Sequence, residues 1–179
     1  MLITYIRQDR NNFKNALGQK CAELYCRIWK EPPWCEDFWQ PNDVLNTLKK
    51  ELDKPAAACW LAITQTQEIL GFTWGYGVNR YDLRKIAGNN QINYLFKDNK
   101  KVFYIDELGV DNKKRQKGLG KTLTIKLIDH AISHDYGKIA LRTDIKAIPA
   151  RIVYQRLGFK ELDIKDANHP TRSYWLLRP

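Results

Sequence analysis

Between Val110 and Thr122 the chain reads Val-Asp-Asn-Lys-Lys-Arg-Gln-Lys-Gly-Leu-Gly-Lys-Thr, a run with the residue types to hold a phosphate. It falls where an apolar strand gives way to an amphipathic helix. The first turn of a helix has N–H groups without intrahelical partners and carries about half a positive charge, so an anion is stabilised there. Gly118 and Gly120 remove side chains that would hold a phosphate away from those amides. Five cations, Lys113, Lys114, Arg115, Lys117 and Lys121, stand against one acid, Asp111. Two phosphate-binding patterns do not fit. Gly120-Lys121-Thr122 resembles the end of a P-loop, but the glycine required five positions earlier is Arg115. The dinucleotide fingerprint is met by Gly118 and Gly120 and broken at Leu123. What remains is Arg-x-x-Gly-x-Gly, from Arg115 through Gly118 to Gly120.

Other residues could also do chemistry. Asp106 and Glu107 interrupt the apolar run Val102–Val110. Two carboxylates in such a strand are costly unless paired or put to use. Strict alternation faces them opposite ways, so at most one should reach a common site. His130 and His134 lie one helical turn apart, but Ala131 stands where a His-Glu-x-x-His motif needs its glutamate. With no third ligand in view, no metal is expected. Cys21, Cys26, Cys35 and Cys59 form no Cys-x-x-Cys pair and read as small apolar residues in a reducing, cytoplasmic setting.

The elements that must position these residues follow from periodicity. A first strand covers 1–6. The spacing of Phe13, Leu17, Cys21 and Tyr25 predicts a helix over 12–29, ended by the Pro32-Pro33 segment. Asn42 or Asp43 can cap a second helix to about residue 53. Strands are expected at 57–66, 69–78, 102–110, 138–143, 159–164 and 172–177, and helices at 118–136 and 148–157, with Gly137 as the C-cap of the first. Residues 79–101 read as a polar insertion with one helical turn at 81–86 and a mobile loop at Gly88-Asn89-Asn90. Strands mixed with helices give a single α/β layered domain over 1–179, without repeat or linker.

Composition agrees with that class. The chain has 179 residues, is 44% hydrophobic, and holds six Trp, nine Tyr and six Phe, enough to exclude disorder. Its apolar runs are too short for a membrane span, and with charges already at Arg7 and Asp9 no N-terminal signal or anchor is expected. The net charge is +10, and one dense basic cluster stands beside the glycines, which favours a phosphate-bearing ligand over a long polyanion such as nucleic acid.

Downstream of the glycine loop comes Ala147-Ile-Pro-Ala150-Arg-Ile-Val-Tyr154-Gln-Arg-Leu-Gly158-Phe159. Arg115, Gly118 and Gly120, followed by Ala150, Tyr154 and Gly158-Phe159, resemble the two acyl-CoA-binding motifs of the GNAT superfamily, the GCN5-related N-acetyltransferases. One departure is Ala147, where the family has Asn, which removes a side-chain contact to the pantetheine arm. The resemblance covers residues 102–159. It implies a single-domain fold with a mixed, mostly antiparallel central sheet flanked by helices. It also implies transfer of acetyl from acetyl-CoA to a primary amine by direct attack in a ternary complex, with no metal.

On that footing the loop amides and side chains of Arg115, Gln116, Lys117, Gly118, Leu119, Gly120, Lys121 and Thr122 would hold the diphosphate, with Ala150 beside the arm. The bulged end of 102–110, at Leu108, Gly109 and Val110, would pair with the pantetheine and offer an oxyanion donor, Gly109 easing the bulge. Tyr154 would protonate the leaving thiolate. Asp106 resembles the acid proposed as base in the polyamine and aminoglycoside branches, with Glu107 or a water relay as alternatives. The acceptor side would come from 10–53, with Trp34, Glu36, Asp37, Phe38 and Trp39 as an aromatic and acidic wall, and from 79–101. A small-molecule amine is the expected partner, and a homodimer is compatible with the family. Acetylation of a protein N-terminus or lysine, or a non-enzymatic CoA- or nucleic-acid-binding module, are the competing readings.

Overall fold

The computed structural model describes residues 2–98 and 100–179. Its elements run β1 (Ile3–Gln8), α1 (Asn15–Trp29), α2 (Pro41–Glu51), β2 (Ala58–Thr64), β3 (Ile69–Val78), α3 (Arg80–Ala87), β4 (Val102–Val110), α4 (Leu119–Ser133), β5 (Lys138–Asp144), α5 (Ile148–Arg156), β6 (Lys160–Lys165) and β7 (Arg172–Leu177). Seven strands form one sheet in the order β1-β2-β3-β4-β5-β7-β6. Its neighbours pair antiparallel except β4 and β5, which run parallel and are joined by α4. This is the mixed, mostly antiparallel arrangement expected from the sequence.

Helices cover both faces. On one, α1 and α2 bury Leu24, Tyr25, Ile28, Val44 and Leu48 against Leu61, Phe72 and Trp74. On the other, the stripe Leu123, Leu127 and Ala131 of α4 packs on the sheet, joined by Tyr154 of α5. Each fully buried side chain of Leu or Phe size contributes about 1.5–3 kcal/mol, which is what fixes these helices to the sheet. No helix among the described residues is long and apolar enough to cross a membrane.

Several boundaries differ from the sequence expectations. Helix α2 starts earlier, with Gln40 at the N-cap and Pro41 inside, because proline suits the first helical position. Helix α4 ends at Ser133, and Asp135, not Gly137, takes the left-handed conformation with φ 60°. The 79–101 segment is less polar than its average suggests. Leu83, Ala87, Ile92 and Leu95, from α3 and the 3-10 segment Gln91–Phe96, are fully buried against Tyr104, Ala140 and Tyr174. Nor is its glycine loop free: Gly88 closes α3, and the Asn89 amide donates to Ala87 O and, at 2.7 Å, to Lys165 O.

Two irregularities in β4 matter for function. Its register with β3 runs Trp74↔Glu107 and then Gly75↔Ile105, so Asp106 is an extra residue, a β-bulge. The bulge lies at Asp106 and not near Gly109, where it was expected. Pairing with β5 extends from Val102↔Lys138 to Ile105↔Leu141 and stops there, so the two parallel strands splay from the bulge onward.

Candidate active site

At the end of β4 the chain turns through Asp111, whose side chain accepts from Lys113 N at 3.0 Å, and enters α4. Gly118 is the N-cap, with φ 77° and no capping side chain. The first closing bond is Thr122 N to Gly118 O at 3.0 Å. The N–H groups of Leu119, Gly120 and Lys121 therefore point out of the helix end, with the exposed Lys117 and Lys121 side chains around them. A Cβ on Gly118 would meet nothing within 4 Å, so its glycine is set by the left-handed backbone. A Cβ on Gly120 would come no closer than 3.7 Å to Val110. The fold itself does not demand glycine at 120, whereas an anion resting on these amides does. The cradle therefore fits a diphosphate.

Arg115 is differently placed from the rest of the loop. Its Nε donates to Val110 O at 3.0 Å and its terminal nitrogen to Glu31 at 2.7 Å. With Arg27 bound to Asp111 at 3.3 Å, it braces the loop against the end of α1. Its guanidinium supports the cradle from behind.

The splay opens main-chain groups beside the cradle. Asp111 N bonds to Leu70 O at 3.0 Å, and hydrogen-bonded positions alternate along an antiparallel ladder. Glu107 and Gly109 therefore turn their backbone groups toward β3, while Leu108 and Val110 turn theirs to the side that β5 has left. Gly109 is thus not on the open side. Its glycine answers to packing, because a Cβ there would lie 2.5 Å from the Phe72 ring.

On the α1/α2 face lies a cleft of about 340 Å³. Its lining includes Tyr25 and Trp29 of α1, Glu36, Phe38 and Trp39 of the connection, Glu51 of α2, Trp74 of β3, and both Asp106 and Glu107. The bulge explains how two consecutive carboxylates share one side, contrary to simple alternation. Tyr76 OH donates to Asp106 at 3.0 Å and reaches Glu51 at 3.4 Å, Trp74 Nε1 donates to Glu51 at 2.7 Å, and Tyr25 OH donates to Glu107 at 3.1 Å. Burial, and then the neighbouring Asp106, push the Glu51 carboxyl up to about 8, against the pull of Lys54 and the Trp74 hydrogen bond. Burial foremost, then Asp106 and Glu51, also hold Glu107 well above the ordinary carboxylate range. Two carboxyls that hold their protons more tightly than ordinary ones, Glu51 and Glu107, are thereby placed on an aromatic, largely buried surface.

Tyr154, on α5, packs against Phe159 and Trp175 on the opposite sheet face, with ring centroids 5.8 and 6.5 Å away. Burial first, and then the charge of Glu107, raise its phenol further, so it carries its proton throughout the neutral range. Ala147 occupies the N-cap of α5 without a capping side chain, and Ala150 lies in its first turn, half-buried.

Some expected residues are not in the cleft. Asp37 is exposed outside it. Trp34 stands behind it, stacked on Trp29 at 5.8 Å and covered by Arg172 at 5.3 Å. No lining residue comes from 79–101. His130 contacts Ala56 O through Nε2 at 2.9 Å, on a separate surface. The sequence reading missed Glu51, Tyr25, Trp74, Tyr76, Arg142, His169 and Arg172. Glu51 ends an amphipathic helix, where the sequence alone does not separate a buried carboxyl from a solvated one, and the structure sets it beside the bulge at Asp106.

The sequence profile of the acetyltransferase (GNAT) family matches residues 20–159, and the chain belongs to that family. The human N-acetylaspartate synthetase is 32% identical over 59 residues, a stretch that takes in 33% of this chain and 20% of that protein. Among solved structures, a chain of the NatC complex bound to Gag peptide and CoA superposes with a TM-score of 0.70 and 17% identity, covering 100% of this chain and 99% of that one. The aminoglycoside 6'-acetyltransferase type Ii gives 0.65 and 18% identity, covering 99% and 97%. At these identities the structural likeness establishes the fold.

Proposed function

We propose that the protein is an acetyl-CoA-dependent N-acetyltransferase that acetylates the primary amine of a small molecule by direct attack with both substrates bound. The observation that carries the reading is the gap beyond Ile105 and Leu141. It connects the anion cradle and Tyr154 on one sheet face with the acidic aromatic cleft on the other. The relatives named above range from an aspartate-linked synthetase to an aminoglycoside enzyme and a peptide-bound complex, so the acceptor class rests on the cleft.

Acetyl-CoA, when bound, supplies the acyl group as an activated thioester. The amides of 119–121, with Lys117 and Lys121, would hold its diphosphate. The Leu108 main chain and the Val110 N–H would pair with the extended arm and direct an N–H at the carbonyl oxygen as it gains charge, the Val110 carbonyl being taken by Arg115. The partly exposed Trp39 ring in the cleft lining would seat the ammonium. Glu51 and Asp106, acting as a pair, would take its proton, since a base is most effective when its pKa lies near the working pH. Tyr154 would return a proton to the thiolate.

The test is release of free thiol from acetyl-CoA in the presence of polyamines, aminoglycosides, amino acids or peptides. Amine-dependent release with a small molecule is expected. Release with peptides alone would remove the small-molecule assignment, and no acceptor-dependent release with any of them would remove the enzymatic one.

A further inference from the structure

The cleft that would receive the amine also has a cationic wall. Arg142 of β5, Arg172 at the start of β7 and His169 just before it line the same cavity as Glu51, Asp106 and Glu107. Both arginine side chains are largely buried, 17% and 16% exposed. Each is tied to a carboxylate. Arg142 holds Asp166, which also accepts from Tyr174 OH and the backbone N–H groups of Asn168 and His169. Arg172 donates to Glu36 at 2.9 Å. Those carboxylate contacts use one terminal nitrogen of each guanidinium, whereas the group offers five N–H donors in a planar fork. Both forks line the cavity, and a carboxylate is the group a fork of this shape matches. Desolvation first, and then the charges of Arg172 and Arg142, lower the His169 imidazole below its ordinary value.

Resting on the amine-acetylating reading of this cleft, we infer that the acceptor is an amino acid: its ammonium lies against Glu51, Asp106 and Glu107, and its carboxylate against Arg142 and Arg172. A plain amine would satisfy only the acidic half. Its cation would also share the cavity with two guanidinium groups.

The test uses straight-chain amino acids with one to five methylenes between ammonium and carboxylate, each paired with the alkylamine of the same length, in a thiol-release assay with acetyl-CoA. At least one amino acid should exceed its matched amine in kcat/KM by about tenfold or more, the size expected for a charge-assisted contact. Arg172→Gln should collapse that ratio toward one. Because both acceptors are assayed on the same preparation, a general loss of folding cancels from the ratio. Arg142→Gln is avoided because it would strand the buried Asp166. Equal rates, faster amines, or a ratio unchanged in Arg172→Gln would overturn the amino-acid assignment while leaving amine acetylation intact. Thiol release with neither series would instead count against the cleft as a small-amine site.

Discussion

Glu51 is a carboxyl whose behaviour follows from two neighbours, the burial around it and the charge of Asp106. Its ordinary value is 4.5 and its value in the fold is about 8. Between those limits the unfolded chain has released this proton and the folded chain still holds it. The stability it contributes is therefore complete below about 4.5 and lost as pH rises toward 8. Glu51→Gln should remove that slope, so unfolding free energies from urea titrations at pH 5 and pH 8.5 should differ less in the variant, by on the order of a few kcal/mol at most. The same substitution should move the acid limb of the pH–rate profile, as expected if the pair takes the proton. Tyr154→Phe should lower kcat by about tenfold to a hundredfold, while acetyl-CoA affinity stays within about twofold. Equal loss in both would make Tyr154 a packing residue. Tyr154 was legible because its spacing to Ala150 and Gly158 matches a motif. Glu51 was not, because nothing in Leu-Lys-Lys-Glu separates a buried carboxyl from a solvated one until the helix is laid over Trp74 and Tyr76.

At the level of elements, the functional geometry comes from two departures from regularity, the bulge at Asp106 and the splay beyond Ile105. Neither has a sequence marker, since no Gly or Pro occupies 105–107. This is why alternation wrongly set Asp106 and Glu107 on opposite faces. The strand-to-helix transition at Val110 to Gly118 was legible, because glycines and a change of period mark it. The buried positions of 79–101 were not, because Leu83, Ala87, Ile92 and Leu95 are spread among polar residues across two short helical pieces. The anion cradle makes its own prediction. Gly120→Ala should leave the melting temperature unchanged or slightly raised, since alanine suits a helix better than glycine and meets no close atom. Acetyl-CoA affinity should fall by about tenfold, read by calorimetric titration. An unaltered Kd would mean that nothing rests on those amides.

For the whole molecule, the sheet separates two faces, and on the proposed reading the gap beyond Ile105 and Leu141 joins them. One face offers N–H groups, lysines and a protonated phenol, and the other offers carboxyls and aromatic rings. Ligand binding at the cradle should therefore stabilise the entire fold, by about 2.7 kcal/mol at acetyl-CoA one hundred times its Kd, measurable as a rise in melting temperature. An unmoved transition would deny the cradle a ligand. The most direct measurement is a crystal structure with CoA bound. The account predicts its diphosphate on the amides of 119–121 and its sulfur in the gap between β4 and β5, within reach of the Tyr154 hydroxyl and open to the Asp106 side. A diphosphate bound elsewhere, or a sulfur shut off from the carboxylate cleft by the sheet, would contradict it.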